Sequence, residues 1–208
     1  MPTYPIPTPI YHFTHVDNLA RLLGTGMILC KNEMKAQSSP YRSSAFETVQ
    51  AHRENFQVPV SRGGTIHDYV PFYFNSRSPM LYTINCGNVA DIRMQDLVFF
   101  KTSAQSVVAS GSDFAFTDGH GIMELSDYYD DLSDLEQVPW NVINARYWND
   151  FQDGRRLRQS EFLVYKSFNW NLVESVGVYN QYMKERVEQL TSGLQQPPVV
   201  EVRRNWYF

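Results

Sequence analysis

The sequence predicts an α+β domain, and three observations carry that prediction. Apolar runs rich in strand formers recur along the chain: "IYHFTH" at 10–15, "DLVFFKTSA" at 96–104, "FAFTDGHG" at 114–121 and "EFLVYKSF" at 161–168. Helical spacing is confined to scattered stretches, chiefly "HVDNLARLLGTG" at 15–26 and "QYMKERVEQLTSG" at 181–193. The regular strand and helix alternation of a doubly wound sheet is missing. At 208 residues, 43% hydrophobic and 19% charged, the chain supports one core of ordinary size, so a single domain over 1–208 is expected.

Taken in order, residues 1–9 hold four prolines and read as an extended arm. A strand over 10–15 follows, then a helix with Leu19, Leu22 and Leu23 on one face, Asp17 or Asn18 as its cap and Gly24 or Gly26 as its stop. Residues 31–66 lack apolar periodicity and read as an irregular or part-helical insertion with a turn at "SRGGT". "DYVPFYFNSRSPMLYTI" at 68–84 gives a strand carrying prolines, a turn, and an apolar segment from Pro79. "SVVAS" at 106–110 reads as a continuation of the strand before it, and 114–121 as a strand ending in a Gly-flanked turn that presents His120. Residues 122–154 are polar, acidic and partly helical. A strand over 172–179, a helix with Met183, Val187 and Leu190 capped by Gly193, and a last strand with Tyr207 and Phe208 turned inward complete the chain.

The stretch "RRLRQSEFLVYKSF" at 155–168 raises the first functional question. Four consecutive apolar or aromatic residues, Phe162 to Tyr165, mark a strand covered on both faces. Alternation puts Glu161 on the face of Leu163 and Tyr165, with Phe162 and Val164 opposite. Glu161 is then either a strand-end residue that blocks edge pairing or a carboxylate held in a cleft by a partner.

Net charge is −4, which argues against coating nucleic acid through bulk charge. Charge is nonetheless uneven: Arg146, Arg155, Arg156 and Arg158 follow an acidic run, "ELSDYYDDLSDLEQ" at 124–137. The arginines suit phosphates, or else pair with Asp130, Asp131 and Asp134 on a solvated face. Cys30 and Cys86 lie far apart without ligand spacing and read as two buried thiols. There is no GxGxxG after a strand, P-loop, HExxH, CxxC or GxSxG, so no metal is expected. No run of 18 apolar residues exists, and "MPTYPIPTPIYHF" lacks the basic start and apolar core of a signal peptide, so a cytoplasmic location without membrane attachment is expected.

The combination of "IYHFTH", "AHR", "DYVPFYFNSRSPMLY", "FTDGHG" and "RQSEFLVYKSF" resembles the DarT-type DNA ADP-ribosyltransferase toxins nearly end to end. That resemblance implies a split, mixed β-sheet core with flanking helices, NAD as co-substrate in a central cleft, and a catalytic glutamate, here Glu161. It implies attachment of ADP-ribose to a base of single-stranded DNA, with thymidine preferred, and a macrodomain antitoxin as partner. Arg53 matches the family's arginine near the NAD phosphates and the acceptor, and His120 a turn beside the glutamate. His12 and Thr14 match the segment at the nicotinamide end, with Tyr69, Phe72, Tyr73 and Met80 as packing around it. Each of these aromatics, and His12, reads equally as ordinary core, and Arg53 as a surface arginine. Arg146, Arg155, Arg156 and Arg158 would hold the DNA strand while Trp140, Tyr147 or Trp148 stack on bases. A transferase acting on protein or RNA, or a non-catalytic single-stranded DNA-binding module, stands as the alternative.

Overall fold

The computed structural model describes residues 4–38, 41–42 and 47–208. The first residues of the Pro-rich arm, and part of the insertion expected over 31–66, lie outside the described residues. The elements are β1 (Pro9–His15), α1 (Leu19–Thr25), β2 (Met27–Leu29), α2 (Lys31–Ala36), α3 (Glu47–Asn55), β3 (Tyr69–Tyr73), α4 (Pro79–Asn85), β4 (Leu97–Ser103) and α5 (Ala104–Ala109). They continue with β5 (Phe114–His120), β6 (Tyr128–Tyr129), α6 (Trp140–Ile143), α7 (Gly154–Leu157), β7 (Ser160–Tyr165), β8 (Ser167–Asn169), β9 (Ser175–Val178), α8 (Gln181–Thr191) and β10 (Val199–Val202).

The main sheet runs β10-β9-β4-β1-β3-β7-β5-β6, and β2 pairs with β8 in a second, two-stranded sheet. β10 and β9 are parallel and the other neighbours antiparallel, so the sheet is mixed, as expected. Alternation along the strands sorts the core into layers. Ile10, Phe72, Phe100, Phe116, Phe162 and Val164 join one large cluster on one face, which α1, α5 and α8 cover with Leu22, Val107 and Val187. The opposite face carries two smaller clusters, Leu97 and Phe99 beneath α4 at one end, and Tyr69, Ala115 and Leu163 at the other.

The sheet opens between those two clusters. β1 and β4 pair along their whole length, whereas β1 and β3 share a single pair, Tyr11 with Tyr73. Pro71 sits at this gap. Its carbonyl accepts a 2.8 Å bond from His12 Nδ1 on β1, and a strand residue points its carbonyl and its nitrogen to the same side. The missing N–H of Pro71 therefore faces the opening, where no ladder needs it, while β3 pairs normally with β7 on its other edge.

Local chemistry corrects several sequence expectations. The segment 106–110 is helical, not strand: Ser103 Oγ accepts from the Ser106 N–H at 3.2 Å and starts α5, so a cap overrides the β-branched pair Val107-Val108. The apolar segment from Pro79 is likewise a helix, with Ser78 as its cap and proline at its first position. Neither Asp17 nor Asn18 caps α1 through its side chain, although Gly26 at φ 66° does stop it. The 172–179 strand is limited to Ser175–Val178, Gly193 follows rather than caps α8, and 204–206 form a 3-10 turn instead of strand. Tyr207 does turn inward, donating to the carbonyls of Leu97 and Gly177, while Phe208 stays half-buried. Cys30 is buried but Cys86 is exposed.

Candidate active site

A cleft of about 600 Å³ opens at the split. β1 supplies His12 and Thr14, β3 supplies Tyr69 and Tyr73, and α4 supplies Met80. Because β1 and β3 separate here, side chains from both faces of the sheet reach one space.

At its floor lies a buried ion pair. Arg53, in the last turn of α3, donates from Nη1 and Nη2 to Oε1 and Oε2 of Glu161 at 2.7 and 2.9 Å. The two residues are 7% and 1% exposed. Two parallel charge-assisted bonds are the geometry that lets a carboxylate be buried. Burial alone would lower the Arg53 pKa, but the Glu161 carboxylate overcomes this and raises it. Arg53 lines the cleft and Glu161 lies behind it. The Glu161 N–H donates to Thr117 Oγ1 at 3.0 Å, fixing the strand position of the carboxylate.

Glu161 shares its face with Leu163 and stands directly opposite Tyr73 in the β3–β7 register. Burial and then the Glu161 charge raise the Tyr73 and Tyr128 hydroxyls well above the ordinary phenol range. Tyr128 Oη donates to the Gly121 carbonyl at 2.7 Å, and a Cβ on Gly121 would lie 3.0 Å from that hydroxyl. His120 lines the cleft from the end of β5, with its pKa lowered by burial against the opposing pull of Glu161. His12 is also held toward the neutral form by burial. Its Nδ1–H is committed to Pro71, and its ring lies 5.5 Å from Phe72 and 6.0 Å from Phe100.

The structure thus brings Glu161, Arg53, His120, His12, Thr14, Tyr69, Tyr73 and Met80 together around one cleft. It corrects Phe72, which alternates to the other face, is fully buried and packs on Phe168 at 4.9 Å. Arg158 is corrected as well. It is 4% exposed and its guanidinium donates to the carbonyls of Arg77, Val142, Ile143 and Ala145. Having no carboxylate partner among the described residues, it knits the 142–145 segment to β7 and offers nothing to a phosphate. Trp140 is buried and donates its indole N–H to the Leu135 carbonyl. Arg156 lines the cleft but is occupied by Asp153, Leu125 and Ser126, and Arg155 lines it while exposed. Arg146 and Tyr147 are exposed and Trp148 half-buried, all outside the cleft.

Other cleft groups had no sequence signal. Arg21 on α1 carries buried Nε and Nη1 atoms without a hydrogen-bond partner, an arrangement suited to an anionic ligand. Lys31 Nζ and His67 Nε2 both meet Gln50 Oε1, at 2.7 and 3.1 Å. Asn18, expected as a cap, instead bonds Thr14 Oγ1 and lines the cleft. Among the described residues no group of His, Cys, Asp or Glu is placed to hold a metal ion. No helix is long and apolar enough to cross a membrane.

Burial, reinforced by Lys31 and Arg53, pushes the His67 imidazole from 6.5 down to about 4. The fold therefore binds the neutral ring, so stability is complete above about pH 6.5 and falls as pH drops toward 4. At 1.36 kcal/mol per pKa unit the loss is on the order of 2–3 kcal/mol. Asp68, held down to about 2 by Asn32, Thr65 and Lys166 against the effect of burial, acts only at lower pH. Urea unfolding at pH 7 and 4.5 is expected to show this drop in the parent and a smaller one in His67→Gln; equal drops would assign it elsewhere.

A second expectation concerns Gly154, at the start of α7. A Cβ there would fall 1.8 Å from the Trp148 carbonyl oxygen. Gly154→Ala is expected to cost about 1–3 kcal/mol through this overlap, seen as a lowered thermal midpoint. An unchanged midpoint would show that the 148–154 turn yields freely.

The family described as "ssDNA thymidine ADP-ribosyltransferase, DarT" matches residues 11–208. A DNA ADP-ribosyl transferase of Thermus sp. (strain 2.9) is 42% identical over 99% of both chains. The structure of Thermus sp. 2.9 DarT in complex with ADP-ribosylated ssDNA superposes with TM-score 0.94 at 41% identity, covering 100% of both chains. The same protein's complex with NAD+ gives TM-score 0.89 at 40% identity, over 99% of this chain and 100% of that one.

Proposed function

Because the chain belongs to the DarT family of ssDNA thymidine ADP-ribosyltransferases, we propose that it transfers the ADP-ribosyl group of NAD to thymidine in single-stranded DNA and releases nicotinamide. The observation that carries this reading is the buried Arg53–Glu161 pair at the floor of a cleft matching that of relatives solved with NAD+ and with ADP-ribosylated DNA.

Cleavage of the nicotinamide glycosidic bond builds positive charge on the ribose anomeric carbon. Glu161, buried where its charge is poorly screened, opposes that charge and binds a ribose hydroxyl. The new bond forms from thymine N3 to the anomeric carbon as the bond to nicotinamide breaks with its electron pair. The N3 proton passes to Glu161 once nicotinamide has left. Arg53 holds the carboxylate in place and adds positive charge near the phosphates and the incoming base. Arg21, with its unpartnered donors, supplies the anion contact the dinucleotide needs. His12 and Thr14 hold the nicotinamide end, Tyr69, Tyr73 and Met80 pack around it, and His120 orients the carboxylate or nucleotide. Arg155, Arg146, Tyr147 and Trp148 receive the strand.

In the cell the protein acts as the toxin of a pair, in the cytoplasm, countered by a macrodomain partner that removes the mark. Incubation with NAD and a thymidine-containing oligonucleotide is expected to add one ADP-ribose mass to the DNA. Mass on protein or RNA alone would overturn the DNA reading. Binding without NAD turnover would leave only a binding module.

A further inference from the structure

Sorting the cations by partner isolates a second surface. Among the described residues, most lysines and arginines are paired with a carboxylate. Those that are not fall in two places. Arg21, Lys31 and Arg155 line the cleft. Arg77, Arg146, Arg158 and Arg204 each lie over an aromatic ring, Phe208, Tyr147, Trp148 and Tyr179, at 4.5, 5.1, 6.0 and 4.1 Å from the ring centres.

Three rings make the centre of this second place. Tyr82, Trp148 and Phe208 meet edge to face, with centres 5.8, 5.2 and 5.9 Å apart. Tyr82 is 46% and Tyr147 55% exposed, far more than ring packing alone requires. Arg77 also carries a buried Nε with no hydrogen-bond partner. The cluster adjoins the cleft by two routes. α4 lines the cleft with Pro79, Met80 and Thr83 while its Tyr82 enters the ring cluster. Trp148 packs its carbonyl on Gly154, the residue before cleft-lining Arg155.

Rings with exposed surface beside guanidinium groups lacking carboxylates suit a flexible polyanion carrying planar bases: the cations meet phosphates and the rings meet bases. A chain of net charge −4 has concentrated its uncompensated positive charge where those two contacts coincide. We propose that the face built by Tyr82, Trp148 and Phe208 with Arg77 and Arg146 binds nucleotides of the single strand that flank the modified base, outside the cleft. This rests on the DNA reading above and extends it to residues of α4, of the turn before it and of the C-terminal segment.

The test compares oligonucleotides of about 5 and about 15 nucleotides, since single-strand sites span roughly 4–16 nucleotides. KM and kcat are measured with NAD for the parent, Tyr82→Ala, Tyr82→Phe and Arg77→Gln, alongside anisotropy binding of the longer strand. The parent is expected to show the lower KM on the longer strand. Tyr82→Ala and Arg77→Gln should raise that KM about tenfold, the size of one lost base stack, and leave the short substrate unchanged. Tyr82→Phe, which keeps the ring, should behave as the parent. Equal effects on both lengths would mean a structural role and overturn the proposal, as would no effect on either. If the parent transfers nothing, the enzymatic reading falls by itself: the surface stands if Tyr82→Ala and Arg77→Gln still weaken binding of the longer strand, and falls if they do not.

Discussion

Glu161→Gln is expected to reduce ADP-ribosyl transfer to DNA at least several-hundredfold while leaving a folded protein. The amide keeps the shape of the side chain but removes the charge that opposes the developing oxocarbenium and the site that receives the thymine proton. Removing a single electrostatic contact of this kind costs about 10²–10³ in rate, and here two roles are lost together. Single-turnover reaction with NAD and a thymidine oligonucleotide, followed by mass spectrometry, measures it. Activity within tenfold of the parent would remove Glu161 from the chemistry and return it to a structural part.

Arg53→Ala is expected to have the largest effect on stability. It strands the Glu161 carboxylate at 1% exposure without its only ionic partner among the described residues. Breaking a buried pair from one side costs about 3–5 kcal/mol, which for a domain of this length lowers the melting temperature by roughly 10 °C. The double variant Arg53→Leu/Glu161→Leu removes both charges and should recover much of that loss without recovering transfer. A single variant that melts with the parent would show that water or another group already compensates the carboxylate. The two experiments together separate what the pair does for the fold from what it does for the reaction.

The strand pattern was legible because strands reveal themselves by alternation: Glu161 does share a face with Leu163, away from Phe162. The same rule, applied to "DYVPFYF", would have removed Phe72 from the cofactor set, since Tyr69 and Tyr73 cannot face one way with Phe72 between them. Helices begun by a single cap were harder. α5 depends on Ser103, and nothing in "SVVAS" itself outweighs the strand preference of two valines. Pairing over long sequence separation was not legible at all from the residues. Arg53 and Glu161 lie 108 positions apart, and only the family resemblance connected them. Arg158 shows the limit of charge patterning: four arginines in one stretch look alike in sequence, yet this one is spent on four backbone carbonyls. Arg21 was missed for the opposite reason, being an ordinary arginine on an amphipathic helix until its unpartnered donors are seen.

Pro71 gives the opening in the sheet a different meaning. A gap between two strands held apart only by side chains would tend to zip shut whenever its contents leave, because free N–H and carbonyl groups on facing edges seek each other. With a residue that has no N–H on the inner edge of β3, and its carbonyl already taken by His12, that closure is denied at the backbone. The aperture is therefore permanent: the protein need not spend the binding energy of its first substrate on prising a sheet open, and an empty molecule is already shaped to receive.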